Sequence, residues 1–70
     1  MKHYYVNNLQ TSNPGLHHEV HSSDCYLINT IKSKTYLGVF YSGIIAVAEA
    51  KRIYRDADGC KHCCPEAHKG

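Results

Sequence analysis

Apolar residues gather in four stretches of this chain, and each stretch has its own period. His3-Tyr4-Tyr5-Val6-Asn7 is rich in strand formers and stops at Asn7-Asn8, which predicts a first strand. The polar stretch from Gln10 to Gly15 follows, and Pro14-Gly15 marks a turn. His18-Glu19-Val20-His21 predicts a short second strand. Residues 22–35 are mixed: Ser22-Ser23-Asp24 opens a turn, and Leu27, Ile28 and Ile31 supply apolar anchors. The strongest strand is Thr35-Tyr36-Leu37-Gly38-Val39-Phe40-Tyr41, where Gly38 predicts a bulge or a close backbone approach. Simple alternation puts Tyr36 and Phe40 on one face and Leu37, Val39 and Tyr41 on the other. Both faces are then apolar, which fits a central strand or an exposed face that meets a partner.

The fourth stretch has the helical period. Ser42 is a candidate N-cap, because its hydroxyl can accept an orphan backbone N–H. Ala46, Ala50 and Ile53, with Val47 and Tyr54, form one apolar stripe, and Glu49, Lys51 and Arg52 lie off it. Lys51, Arg52 and Arg55 gather in the last turns, where cations complement the helix dipole. Asp58-Gly59 is the expected stop. There is no internal repeat and no linker, so residues 1–70 are expected to form a single domain.

Composition adds a difficulty. A chain of 70 residues buries only about 60% of the surface its unfolded form exposes, so it usually needs a staple. Four Cys and six His supply one. The start Met1-Lys2-His3-Tyr4 lacks a long apolar secretory segment, and no apolar run reaches the roughly 20 residues that span a membrane. The expectation is a cytoplasmic chain in a reducing compartment, where clustered Cys and His bind metal rather than form disulfides. Adjacent Cys63 and Cys64 are also awkward for two ordinary bridges.

The chemistry-bearing pattern is His21-x3-Cys25 followed far downstream by Cys60-x2-Cys63. Zn²⁺ takes four tetrahedral N or S ligands, and a C-x2-C turn lets two sulfurs converge on one ion. Gly59 is free to take a positive φ leading into that turn. The expected site is therefore His21, Cys25, Cys60 and Cys63 around one Zn²⁺, a closed and hence structural set that clips the N-terminal half to the tail. His18 and His68 compete with His21 for the fourth position. His18 and His21 are three apart on a strand, so only one faces the metal. Cys64 reads as an uncommitted, partly exposed thiol, and His17 and His18 read as polar histidines and not as a second metal site with Glu19. There is no Gly-rich phosphate loop and no Ser/His/Asp set, and no Pro precedes Cys60 as it does in a zinc deaminase.

At these positions the chain resembles the metal-binding domain of the Ada family. The shared frame is His21-Ser22-Ser23-Asp24-Cys25, Tyr36-Leu37-Gly38-Val39-Phe40, Ser42 with Ala46-Val47, and Gly59-Cys60-Lys61-His62-Cys63, roughly residues 18 to 64. It also resembles short uncharacterised bacterial proteins with a His-Glu-Val-His and a Gly-Cys-x2-Cys segment. The likeness implies a small α+β fold, one main helix on a short antiparallel sheet around one zinc. Ada has Cys at the position of His21, and that Cys accepts a methyl group from a DNA phosphotriester. Imidazole bound through its only lone pair is a poor methyl acceptor, so the resemblance implies the site and argues against the repair chemistry.

The formal net charge of +2 is too weak for a nucleic-acid footprint, and Zn²⁺ with three thiolates lowers it to about +1. The expectation is a non-enzymatic zinc-binding interaction module of regulator or inhibitor type. It meets a protein partner, or a second copy, through an apolar and tyrosine-rich sheet face. The alternative is a nucleic-acid binder using Lys51, Arg52, Arg55 and Lys61. A methyl-accepting repair protein comes last.

Overall fold

A computed structural model describes residues 1–12 and 16–68, so the expected Pro14-Gly15 turn lies outside the described residues. The element order is β1 (Lys2–Asn7), β2 (Thr11–Ser12), β3 (Leu16–Ser22), β4 (Lys34–Phe40), α1 (Gly43–Ala50) and β5 (Ala57–Gly59). Short 3-10 turns lie at Ile28–Thr30 and Pro65–Ala67. Among the described residues no helix is long and apolar enough to cross a membrane.

β1 is the centre of the sheet. It pairs antiparallel with β3 on one side and β4 on the other, so Tyr5 lies opposite both His21 and Tyr36. β2 pairs with the start of β3, inside the stretch expected to be a loop. β5 pairs with β3 in parallel, His18 with Ala57 and Val20 with Gly59. The class is α+β with one helix, but the sheet is mixed, not antiparallel as the resemblance implied. Topology gives the reason. β3 and β4 both run against β1 and therefore run the same way. α1 carries the chain from β4 across to the far side of β3, and a helical crossover delivers the next strand parallel to the one it left.

The helix packs on one face of this sheet. Tyr4 and Val6 of β1 and Val20 of β3 meet Ala46, Val47 and Ala50 of α1, with Ala57, Cys64 and Ala67 closing the core. Ser42 caps α1 as expected: its backbone is extended and its Oγ accepts from the Ile45 N–H at 3.4 Å. The helix is shorter than its stripe suggested. After Ala50 the chain leaves in tighter turns, with Ile53 N–H donating to the Ala50 carbonyl at 2.9 Å, and Ile53 is 52% exposed. Asp58-Gly59, expected as the helix stop, belongs to β5. The cause is tertiary: residues 57–59 find a free edge of β3 to pair with, and that ladder outweighs continuation of a helix that has run out of apolar surface.

The bulge in β4 is real and moves the side chains. Tyr5 pairs with Tyr36 and Tyr4 with Gly38, so Leu37 is the extra residue. Gly38 sits at φ 129, a conformation almost closed to other residues. The slip overturns the simple alternation. Leu37 and Phe40 both pack against the core beneath α1, and the rings of Tyr4 and Phe40 lie 6.2 Å apart. Tyr36 and Val39 turn to the opposite face, where they are 51% and 38% exposed. β4 is also an edge strand, not a central one.

Gly38→Ala places a Cβ at this φ and 3.3 Å from the Phe40 ring. It should lower the unfolding free energy by about 1–3 kcal/mol, read by denaturant titration of metal-loaded protein. An unchanged midpoint would remove the bulge as a structural requirement.

Candidate metal centre

Two turns at the same end of the sheet build the site. His21 stands near the end of β3, and the chain then folds back, with Cys25 N–H donating to the Ser22 carbonyl at 3.1 Å. Asp24 braces that turn by accepting from the Ser22 hydroxyl and pairing with Lys2 of β1 at 3.1 Å. The Ser22 hydroxyl, and after it the Lys2 ammonium, hold the Asp24 carboxyl below its ordinary value. The second turn leaves β5. Cys60 N–H donates to the Val20 carbonyl at 3.0 Å, which fixes Cys60 beside the end of β3. Cys64 N–H then donates back to the Cys60 carbonyl at 2.7 Å, so the C-x2-C loop curls around its own sulfurs.

The side chains of His21, Cys25, Cys60 and Cys63 converge, their ligand atoms all within 4.8 Å of one another. His21 Nδ1 lies 3.7 Å from Cys25 Sγ and 3.8 Å from Cys63 Sγ. In a tetrahedral Zn²⁺ site, with Zn–N of about 2.0–2.1 Å and Zn–S of about 2.3 Å, such N···S edges would be about 3.5–3.6 Å. Two backbone groups point at the sulfurs: His62 N–H donates to Cys60 Sγ and Ser22 N–H to Cys63 Sγ, each at 3.4 Å. His21, Cys25 and Cys60 are buried and Cys63 is half-buried. Geometry, donor types and oriented N–H groups therefore fit a metal ion. Gly59 serves this arrangement differently from the expectation, because its φ is not positive. A Cβ there would meet the Cys64 carbonyl oxygen at 2.8 Å and Ala67 Cβ at 2.9 Å. Gly59 is needed because the tail crosses directly over it.

Burial pushes the Cys60 thiol up to about 12 and also raises Cys25. The Cys64 thiol beside it, and then burial, push Cys63 up to about 11. Left to themselves these thiols hold their protons at neutral pH, and a bound cation reverses that preference.

The other histidines have partners elsewhere. The His18 ring stacks on Tyr54 at 3.7 Å, and its Nδ1–H donates to the Asn7 carbonyl at 2.9 Å. His68 Nδ1–H donates to the Gly59 carbonyl at 3.0 Å, so neither competitor joins the cluster. His62 lies edge-on to Tyr26, with ring centres 5.4 Å apart. His17, expected to be a polar loop histidine, is on β3 and largely buried, and Glu19, on the expected strand, is largely buried beside it. Cys64, expected to be partly exposed, is fully buried in the core. The tail folds under the start of α1, where Gly43 N–H donates to Glu66 Oε2 at 2.9 Å, and that seals the thiol. Lys2, Asp24, Tyr26 and His62 surround a surface cleft of about 320 Å³ whose floor includes Cys25 and Cys63.

No family model, no curated protein and no solved structure matches this chain.

Elemental analysis should find about one metal ion per chain, and a strong chelator should unfold the protein reversibly, because site and fold form together. Far-UV circular dichroism before and after chelation decides this, and an unchanged spectrum in metal-free protein would refute it. Metal uptake at neutral pH should release about three protons, and apparent affinity should fall as pH falls, because protons compete for three thiolates. Uptake in weakly buffered solution with a pH indicator measures the release, and none would exclude the thiols as ligands.

Proposed function

We propose that this chain is a non-enzymatic interaction module stapled by one Zn²⁺, and that it docks an extended, acidic segment of another protein along β4. Three thiolates and one imidazole are a structural zinc set, with all four positions supplied by the protein. That closure argues against catalysis at the ion. The ligand frame resembles the Ada metal-binding domain, and His21 in place of a thiolate argues against methyl transfer.

The observation that carries the docking reading is the sheet face turned away from α1. The rings of Tyr5 and Tyr36 meet at a tilt of 55° with centres 5.2 Å apart, and His3 Nδ1 lies 2.8 Å from the Tyr36 hydroxyl. Val39 continues this face, and Tyr41, just past the strand, is 82% exposed. Among the described residues no strand pairs with the outer edge of β4. Its backbone groups are a template for an added strand, and aromatic neighbours supply side-chain contacts. Charge selects the partner. Neither β1 nor β4 contains Asp or Glu, Lys34 lies over the Tyr5 ring at 5.8 Å, and Lys32 precedes the strand. An acidic strand meets no like charge there.

The test is titration of ¹⁵N-labelled, zinc-loaded protein with a short peptide of alternating Glu and Val. Shifts confined to residues 34–41 and to His3 and Tyr5 are expected. The double variant Tyr36→Ala/Tyr41→Ala should weaken binding at least about tenfold, with metal content unchanged. Three results would refute the reading: no shifts on β4, a single-stranded oligonucleotide binding where the peptide does not, or a concentration-dependent dimer that occupies β4.

A further inference from the structure

A carboxylate stands directly behind the histidine of the metal centre. Glu19 and His21 are two apart on β3 and so share a face of the sheet. Glu19 Oε1 lies 3.6 Å from His21 Nε2, and its other oxygen, Oε2, lies 3.4 Å from His17 Nε2. His17 Nε2 is in turn 4.0 Å from Asp58 Oδ2 on the neighbouring β5. The side chains of His17, Glu19 and His21 are only 9%, 16% and 4% exposed. A carboxylate so withdrawn from water is costly unless its oxygens find donors, and the donors in reach are these two imidazoles. On the other side of the His21 ring, Nδ1 faces the sulfurs of Cys25 and Cys63.

We infer that Glu19 is the positioning residue of this metal centre, holding Nε2–H of His21 so that Nδ1 is the atom presented to the ion, with His17 bracing Glu19. The neutral imidazole has one N–H and one lone pair, and a carboxylate at Nε2 decides which nitrogen carries which. The same contact fixes the ring plane and strengthens the ring as a ligand. His21 is thereby set apart from His18 and His68, whose Nδ1–H groups are committed to backbone carbonyls. It also gives Glu19, which holds no place among the four converging ligands, a reason to be buried next to them.

This inference rests on the metal reading, so wild-type protein is titrated first. Failure of wild type to take up zinc overturns the metal centre itself. Given a loaded wild type, Glu19→Ala and Glu19→Gln are compared in competition with a chromophoric zinc chelator. Glu19→Ala should bind zinc about 10–100-fold more weakly, and Glu19→Gln, which keeps an oxygen acceptor, should recover part of the loss. Long-range ¹H–¹⁵N spectra of the zinc-loaded proteins supply the readout that a purely structural role would not move. Wild-type His21 should show a metal-bound Nδ1 and a slowly exchanging Nε2 proton, and that proton should exchange faster in Glu19→Ala. If Glu19→Ala does not fold in excess zinc, the same proton is read in Glu19→Gln. Zinc affinity and Nε2 exchange unchanged in a folded variant, or zinc found on Nε2 of wild-type His21, would overturn the proposal.

Discussion

Three thiols and an imidazole meet at one point where β3, β5 and the turns that follow them come together, and the rest of the molecule is arranged around that point. Thiols are weak hydrogen-bonding groups, and burial alone would keep them protonated and unpaired. Their convergence at spacings close to tetrahedral edges is what a metal would stabilise. Such a clip would join residues 21–25, in the N-terminal half of the chain, to its tail. That matters in a protein whose core consists largely of Val and Ala. Such a core buries too little apolar surface to offset the chain's conformational entropy comfortably.

The mixed sheet follows from the same requirement. Cys60 reaches His21 because β5 runs parallel to β3 and its last residue pairs with Val20. The path to that position passes through α1, whose shortness lets the chain turn at residues 51–53 and come back to the sheet. Gly59 then lets the tail pass close enough for Cys64 and Ala67 to seal the core. Local geometry at a single glycine therefore links the candidate metal centre to the packing of α1.

The two faces of the sheet divide the tasks. One is filled by α1 and closed. The other carries the tilted ring pair of Tyr5 and Tyr36 across β1 and β4 and the buried His17-Glu19-His21 series on β3. The bulge at Leu37 and Gly38 makes this division: without the slip Phe40 would face solvent with Tyr36, and the core would lose one of its few large side chains.

Much of this was legible in the chain itself. The three main strands, the Ser42 cap and the candidate donors His21, Cys25, Cys60 and Cys63 follow from period, capping chemistry and spacing, because those signals are local. Gly38 announced an irregularity, but which side chains it redirects depends on the register with β1, which no local window contains. Asp58-Gly59 carries no strand propensity and has the local form of a helix stop; it is extended in β5 because β3 offers an edge. Cys64 and His17 look like surface residues by composition, and burial is decided by what folds over them. Glu19 was visible two residues before His21, yet its role required the position of His21 Nε2 in space. The sequence by itself determined the donor set and the elements that carry it. Tertiary structure alone decided the sheet's mixed direction, the face each side chain takes and the carboxylate behind the histidine, because each depends on a partner distant in the chain.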